Sequence, residues 1–140
     1  MSVVYLALGS NLGDRLVFIH KALEALELAG VKVVKLSTVI ETDPVGGMPQ
    51  GKYLNAVLKA CTGHSPEELH VITQSIERQL GRVKKSINGP RVIDIDILLY
   101  DDVKLISSRL LIPHPRMLER SFVMHPLGEI DPELCESLKP

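Results

Sequence analysis

The chain predicts an α+β fold of the ferredoxin-like kind: a β-α-β-β-α-β core whose antiparallel sheet has helices packed on it, followed by a C-terminal extension. Three observations carry this. Four strand-like runs lie near residues 3–8, 31–39, 53–61 and 92–100. Two stripes of helical period separate the first run from the second and the third from the fourth. The chain has 140 residues, 45% hydrophobic and 24% charged, which suits a single domain over 1–140 with a real core.

Residues 3–8 form a continuous apolar run that reads as a buried strand, ended by Gly9-Ser10-Asn11. Leu16, Ile19, Leu23 and Leu26 recur at helical spacing, with Asp14 or Asn11 as the N-terminal cap and Gly30 placed to end the helix. Residues 31–39 alternate loosely as a strand. Residues 43–52 hold Pro44, Gly46, Gly47, Pro49 and Gly51 and predict a loop. Strand character returns over 53–61. Ser65-Pro66-Glu67-Glu68 then starts a second helix, since Ser65 can cap, Pro66 suits the first turn and Glu68 completes a capping box. Its stripe is Leu69, Ile72, Ile76 and Leu80, closed by Gly81, while His70, Gln74 and Glu77 share another flank. Residues 83–90 are a polar loop before the fourth strand. Asp101-Asp102 predicts a turn, followed by a short strand pair. Pro113-His114-Pro115 leads into a short helix through Arg120, and residues 122–140 show scattered apolar residues and three prolines.

The fourth strand carries the strongest chemical signal. In Arg91-Val92-Ile93-Asp94-Ile95-Asp96-Ile97-Leu98-Leu99-Tyr100, strict alternation puts Asp94, Asp96, Leu98 and Tyr100 on one face and Ile93, Ile95, Ile97 and Leu99 on the other. The two carboxylates then project with Cα atoms ~6.5–7 Å apart. Such a pair suits Mg²⁺, which takes one or two carboxylates plus substrate phosphates. A sheet with one solvated face would show the same alternation, but Asp is poor in strands and this face continues into Leu98 and Tyr100.

Arg82, Lys84, Lys85 and Arg91 cluster before that strand, and Arg109, His114, Arg116 and Arg120 follow it. Cations around a carboxylate pair are what phosphoryl transfer requires, because that chemistry depends on positioning and charge stabilisation. Runs of this kind also occur as plain solvated loops. Aromatic residues are scarce. Tyr53 and Phe122, otherwise core residues, could stack on a flat heterocycle, and Asn55 shares the strand face of Tyr53 with an amide able to read a ring edge.

Other classes are excluded or weakened. A net charge of -1 gives no field for bulk nucleic-acid binding. Cys61 and Cys135 are far apart and show no metal-ligand spacing. No apolar run approaches the ~20 residues of a membrane span, and there is no signal-peptide pattern, so a cytoplasmic location is expected. There is no G-x-x-x-x-G-K-[ST] loop, no dinucleotide fingerprint and no nucleophile-His signature.

In Ala7 to Asp14, Glu41 to Gly46, Tyr53 to Val57, Gly89 to Tyr100 and Ile112 to Met117 with Glu119-Arg120, the chain resembles the 6-hydroxymethyl-7,8-dihydropterin pyrophosphokinases of folate biosynthesis. The segments run in the family's order over nearly the whole chain. The resemblance implies transfer of pyrophosphate from ATP to the pterin hydroxymethyl group, with AMP as by-product. It implies that Asp94 and Asp96 ligate two Mg²⁺ ions. Thr42, Pro44, Val45, Tyr53, Asn55 and Phe122 match the pterin pocket. Gln74, Glu77, Arg82, Lys84, Arg91, Ile97, Arg109, His114, Pro115 and Arg120 fall at nucleotide-binding positions, and Arg82, Arg91, Asp94 and Asp96 form the catalytic set. A monomer working on small molecules, with neither nucleic acid nor membrane as partner, is the expectation. The chain departs from the pattern where some relatives carry Trp before Gly89 and Arg near the loop start: here Asn88 and Lys84 stand. Two other classes share parts of the signal, a ferredoxin-like module that senses a ligand without turnover and a two-metal nuclease or nucleotidyl transferase.

Overall fold

β1 (Ser2–Ser10) lies inside the sheet, antiparallel to β4 (Tyr53–Thr62) on one side and to β5 (Asp94–Tyr100) on the other. This computed structural model describes residues 1–44, 51–81 and 92–140. β2 (Val31–Leu36) and the short β3 (Ile40–Thr42) both pair with β4, so the main order is β2-β4-β1-β5. The helices α1 (Arg15–Leu28) and α2 (Pro66–Gln79) connect the strands in the expected β-α-β-β-α-β sequence, with the short β3 inserted between β2 and β4. They cover one face, where Ile19, Ala22, Leu26, Leu69 and Ile76 pack with Val4, Leu6, Leu8, Leu58, Ile95 and Ile97. Asp14 caps α1 by accepting from the Val17 N–H, and the Ser65/Glu68 capping box forms at α2. Both helices end at glycines in the left-handed region, Gly30 and Gly81.

Four details differ from the sequence reading. β1 does not stop at Gly9 but runs on through Ser10. Of the loose 31–39 run only residues 31–36 form a strand, β2, with a register shift between Val33 and Lys35, and β3 begins just beyond the run at Ile40. The tail is helical: after β6 (Leu105–Ile106), β7 (Leu111–Ile112) and a 3₁₀ turn at Met117–Glu119 come α3 (Ser121–Ile130) and α4 (Pro132–Leu138). Val123, Leu127 and Ile130 form a helical stripe on the second face of the sheet, packed with Tyr5, Val57, Leu98 and Leu99. Pro126 sits inside α3 despite lacking an N–H, and Pro132 occupies the first turn of α4, where Asp131 caps the Leu134 N–H at 3.1 Å. Asp131 also accepts the Tyr5 hydroxyl, tying the α3–α4 junction to β1.

The fourth difference concerns β5. Tyr5 pairs with Leu99 and Leu6 with Ile97, so Leu98 is an extra residue. Strict alternation therefore fails after Leu98. Leu99 goes to the α3 face and Tyr100 to the α1/α2 face, the reverse of the expected placement. Asp94 and Asp96 precede the bulge and stay together on the α3 side.

Candidate active site

The sheet register assembles the site. Asp94, Gly9 and Asn55 pair in a row across β5, β1 and β4, and Asp96, Ala7 and Val57 form the next row. Paired residues share a face, so the carboxylates, the Asn55 amide and the small residues between them look the same way. Thr42 pairs with Tyr53 at the outer end. α3 does not cover this end of the face, and the result is a cavity lined by Gly9, Thr42, Asp43, Tyr53, Asn55, Asp94, Asp96, Arg120 and Phe122, with Ala7, Leu8 and Val123.

Asn55 is buried and donates through Nδ2 to Thr42 Oγ1. A Cβ on Gly9 would lie 3.2 Å from Asn55 Oδ1 and 3.3 Å from the Tyr53 ring. Glycine thus lets these two side chains lie close over β1, where any larger residue would push them back by a few tenths of an ångström, a role that local sequence could not reveal because both neighbours come from another strand. The Arg120 guanidinium sits over Phe122, 5.5 Å from the ring centroid.

A second cavity opens on the other side of Asp96. It is lined by His70, Ile95, Asp96, Ile97, residues 107–111, His114 and Pro115. Arg109 is exposed on the β6–β7 turn. The His114 backbone N–H donates to Leu98 O at 2.9 Å, and its Nδ1 accepts the Arg116 N–H at 3.2 Å. In the neutral ring the proton is therefore on Nε2. Burial, then the Arg120 guanidinium and more weakly Arg116, hold this imidazole below the ordinary histidine range, while Asp94 opposes them.

Of the residues expected at the site, Thr42, Tyr53, Asn55, Asp94, Asp96, Arg120 and Phe122 line the first cavity, and Asp96, Ile97, Arg109, His114 and Pro115 line the second. Gln74 is exposed on α2 and lines neither. Glu77 is buried, and its Oε2 accepts the Ile95 N–H at 2.8 Å, bracing the strand between the two aspartates. Pro44 is partly exposed beside the first cavity's rim residues Thr42 and Asp43. Val45, Arg82, Lys84 and Arg91 lie outside the described residues. His70 and Gly9 were not among the expected ligand-contacting residues. The helix-flank position of His70 was the available signal.

No group of three or more His, Cys, Asp or Glu that could hold a metal occurs among the described residues. Two strand carboxylates at the junction of two cavities suit an ion that completes its shell from water and substrate oxygens. No helix among the described residues is long and apolar enough to cross a membrane.

The family model for 7,8-dihydro-6-hydroxymethylpterin-pyrophosphokinase (HPPK) matches residues 5–132. The 2-amino-4-hydroxy-6-hydroxymethyldihydropteridine pyrophosphokinase of Bacillus subtilis is 45% identical over 130 residues, covering 92% of this chain and 78% of that protein. The Aquifex aeolicus protein of the same name is 46% identical over 138 residues, covering 99% and 86%. The folic acid synthesis protein fol1 of Pneumocystis carinii is 47% identical over 131 residues, but the chain spans only 18% of its length. The crystal structure of Plasmodium falciparum HPPK-DHPS superposes with a TM-score of 0.71 at 16% identity, over 94% of this chain and 38% of that one, and shares the fold. The chain thus belongs to the 7,8-dihydro-6-hydroxymethylpterin-pyrophosphokinase family and is a transferase of folate biosynthesis.

Proposed function

We propose that the chain transfers pyrophosphate from ATP to the hydroxymethyl oxygen of 6-hydroxymethyl-7,8-dihydropterin, with pterin in the first cavity and nucleotide in the second. The observation that carries this reading is the position of Asp96, which lines both cavities with Asp94 beside it in the first. The reaction joins the pterin oxygen to the β-phosphorus and breaks that phosphorus's bond to the bridging oxygen, which leaves on AMP. Its transition state spreads negative charge over phosphate oxygens exactly where two substrates meet, and a charge-neutralising centre belongs there.

Asp94 and Asp96 would hold Mg²⁺, with two ions expected. When bound, Mg²⁺ supplies electrostatic stabilisation of the phosphate oxygens and lowers the cost of deprotonating an alcohol. Tyr53 and Phe122 present aromatic faces to a pterin ring, and Asn55, oriented by Thr42, presents Oδ1 over Gly9 to accept from a ring N–H. His114 offers its Nε2–H to a nucleotide oxygen, and Arg109 and Arg120 bring positive charge. Arg82 and Arg91, outside the described residues, are assigned to phosphate charge, with Lys84 beside them. Gln74 and Glu77 stay assigned to the nucleotide side, Glu77 through the strand it braces. Pro44 and Val45 complete the pterin rim. The near-neutral net charge supports small-molecule substrates rather than nucleic acid, and a monomer working in the cytoplasm is proposed with it.

Incubation with ATP, Mg²⁺ and the hydroxymethyl dihydropterin should release AMP in step with loss of pterin. Formation of ADP instead, or no nucleotide turnover, would sink the proposal.

A further inference from the structure

The open end of the β3–β4 ladder needs a tie that the ladder itself does not supply. β3 has three residues, and its last pair, Thr42 with Tyr53, stands at the rim of the first cavity, just where the chain leaves the sheet on both sides. A three-residue edge strand fixes little by backbone pairing alone. Behind this end lies Arg15, the first residue of α1. Its Nη2 meets Glu41 Oε2 at 2.9 Å and its Nη1 donates to Lys52 O at 2.8 Å. Glu41 immediately precedes Thr42, and Lys52 immediately precedes Tyr53. One guanidinium therefore bridges β3 and the residue that enters β4, next to the pair that lines the cavity. Asn11 adds a second attachment, donating through Nδ2 to Gly51 O at 3.0 Å.

We infer that Arg15 is a positioning residue for the pterin side of the site, holding Thr42 and Tyr53 at a fixed separation from behind the sheet. The inference rests on reading the first cavity as the pterin pocket. Strand alternation turns the Glu41 side chain away from the face that Thr42 presents, so Arg15 acts through backbone placement and does not enter the cavity. α1 is a firm base, because Ile19, Ala22 and Leu26 are fully buried against the sheet. The planar fork matters: its two nitrogens reach Glu41 on β3 and the residue just before β4 at once, which a lysine ammonium cannot do with the same geometry. The ion pair is partly exposed, 31% and 48% for the two side chains, so it contributes little to global stability. Its effect is local.

The test compares Arg15→Ala and Arg15→Lys with the wild type by AMP release, fitting KM for pterin at saturating ATP and KM for ATP at saturating pterin. Arg15→Ala should raise the pterin KM about 10-fold and leave the ATP KM within about 2-fold, since a small misplacement of a substrate-positioning group is costly. Arg15→Lys should fall between, about 3-fold, because charge survives and the fork does not. The melting temperature should drop by no more than about 3 °C in either variant. An unchanged pterin KM in Arg15→Ala, a parallel rise of both KM values, or a Lys variant as impaired as the Ala variant would overturn the inference. Calorimetric titration of pterin in the presence of Mg²⁺ and a non-transferable ATP analogue separates the two layers. Wild type that binds pterin in this titration yet releases no AMP in the assay with ATP sinks the transfer reading, and the same titration on the variants still decides the role of Arg15.

Discussion

The two cavities that meet at Asp96 are built by different means. The first rests on paired strands: Asp94, Gly9 and Asn55 form one cross-strand row, and Asp96 and Ala7 begin the next. The second takes its rim from the β6–β7 turn, the segment around His114 and one side chain of α2. The backbone of the interior strands β1 and β4, which carry Gly9, Tyr53 and Asn55, shifts only when the sheet opens, whereas a two-residue strand pair and its turn can open locally. The proposed pterin side is thus held to the core through β1 and β4, and the proposed nucleotide side is adaptable. A group that must align an attacking oxygen gains most from the first kind of support, and a long flexible polyphosphate tolerates the second.

The largest effect should come from the residue common to both. Asp96→Ala should lower kcat/KM by about 10³-fold or more, since it removes charge organisation where the two substrates join. Because Asp96 is only partly buried, its far-UV circular dichroism and melting behaviour should stay close to wild type. Activity retained within about 10-fold, judged against the scale set by the loss of one electrostatic stabiliser, would dissolve the idea that the cavities share a reaction centre.

A smaller and more selective effect separates the two sides. Gly9→Ala places a methyl 3.2 Å from Asn55 Oδ1 and 3.3 Å from the Tyr53 ring. Both side chains must then give by a few tenths of an ångström, and such misplacement of groups lining the cavity predicts a pterin KM raised about 10-fold. The ATP KM should not move, because neither Asn55 nor Tyr53 lines the second cavity. Steady-state kinetics with each substrate varied in turn checks this, and equal changes in both would mean that the pterin side is not rigidly separate.

Much of this arrangement was legible in the chain. Period-two patterning put Asp94 with Asp96 and Tyr53 with Asn55, and the Ser65-Pro66-Glu67-Glu68 start set α2 in place. These signals are local, so they need no partner to be read. The rest depended on partners. The Leu98 bulge exists only relative to β1, and it reversed the faces of Leu99 and Tyr100. Gly9 looked like the start of a turn because its function lies in two side chains of β4. Glu77 shared a helix flank with His70 and Gln74, yet the closeness of β5 buries it while Gln74 stays exposed. α3 was hidden by its own proline: Pro126 argued against a helix that burial of Val123, Leu127 and Ile130 on the sheet secures.

The subtlest prediction asks how far the nucleotide side is truly open. A histidine on an exposed rim would titrate near 6.5. His114 should not. Its ring is partly desolvated, the Arg120 and Arg116 guanidinium groups disfavour a second positive charge, and Asp94 offsets them only in part. The Arg116 N–H also occupies Nδ1, and full protonation would require that bond to break. All but the Asp94 contribution act in one direction, so the neutral form with Nε2–H persists to lower pH than in an unperturbed imidazole. An NMR titration of the His114 ring protons in the protein without Mg²⁺ or nucleotide should give a midpoint below about 6.5. The donor offered to a nucleotide oxygen would then be the same neutral group from pH 6.5 upward, and the ATP KM should show no step from this residue across neutral pH. A midpoint at or above the ordinary value would mean that the ring is solvated, and that even the inner corner of the second cavity lacks the fixed character of the first.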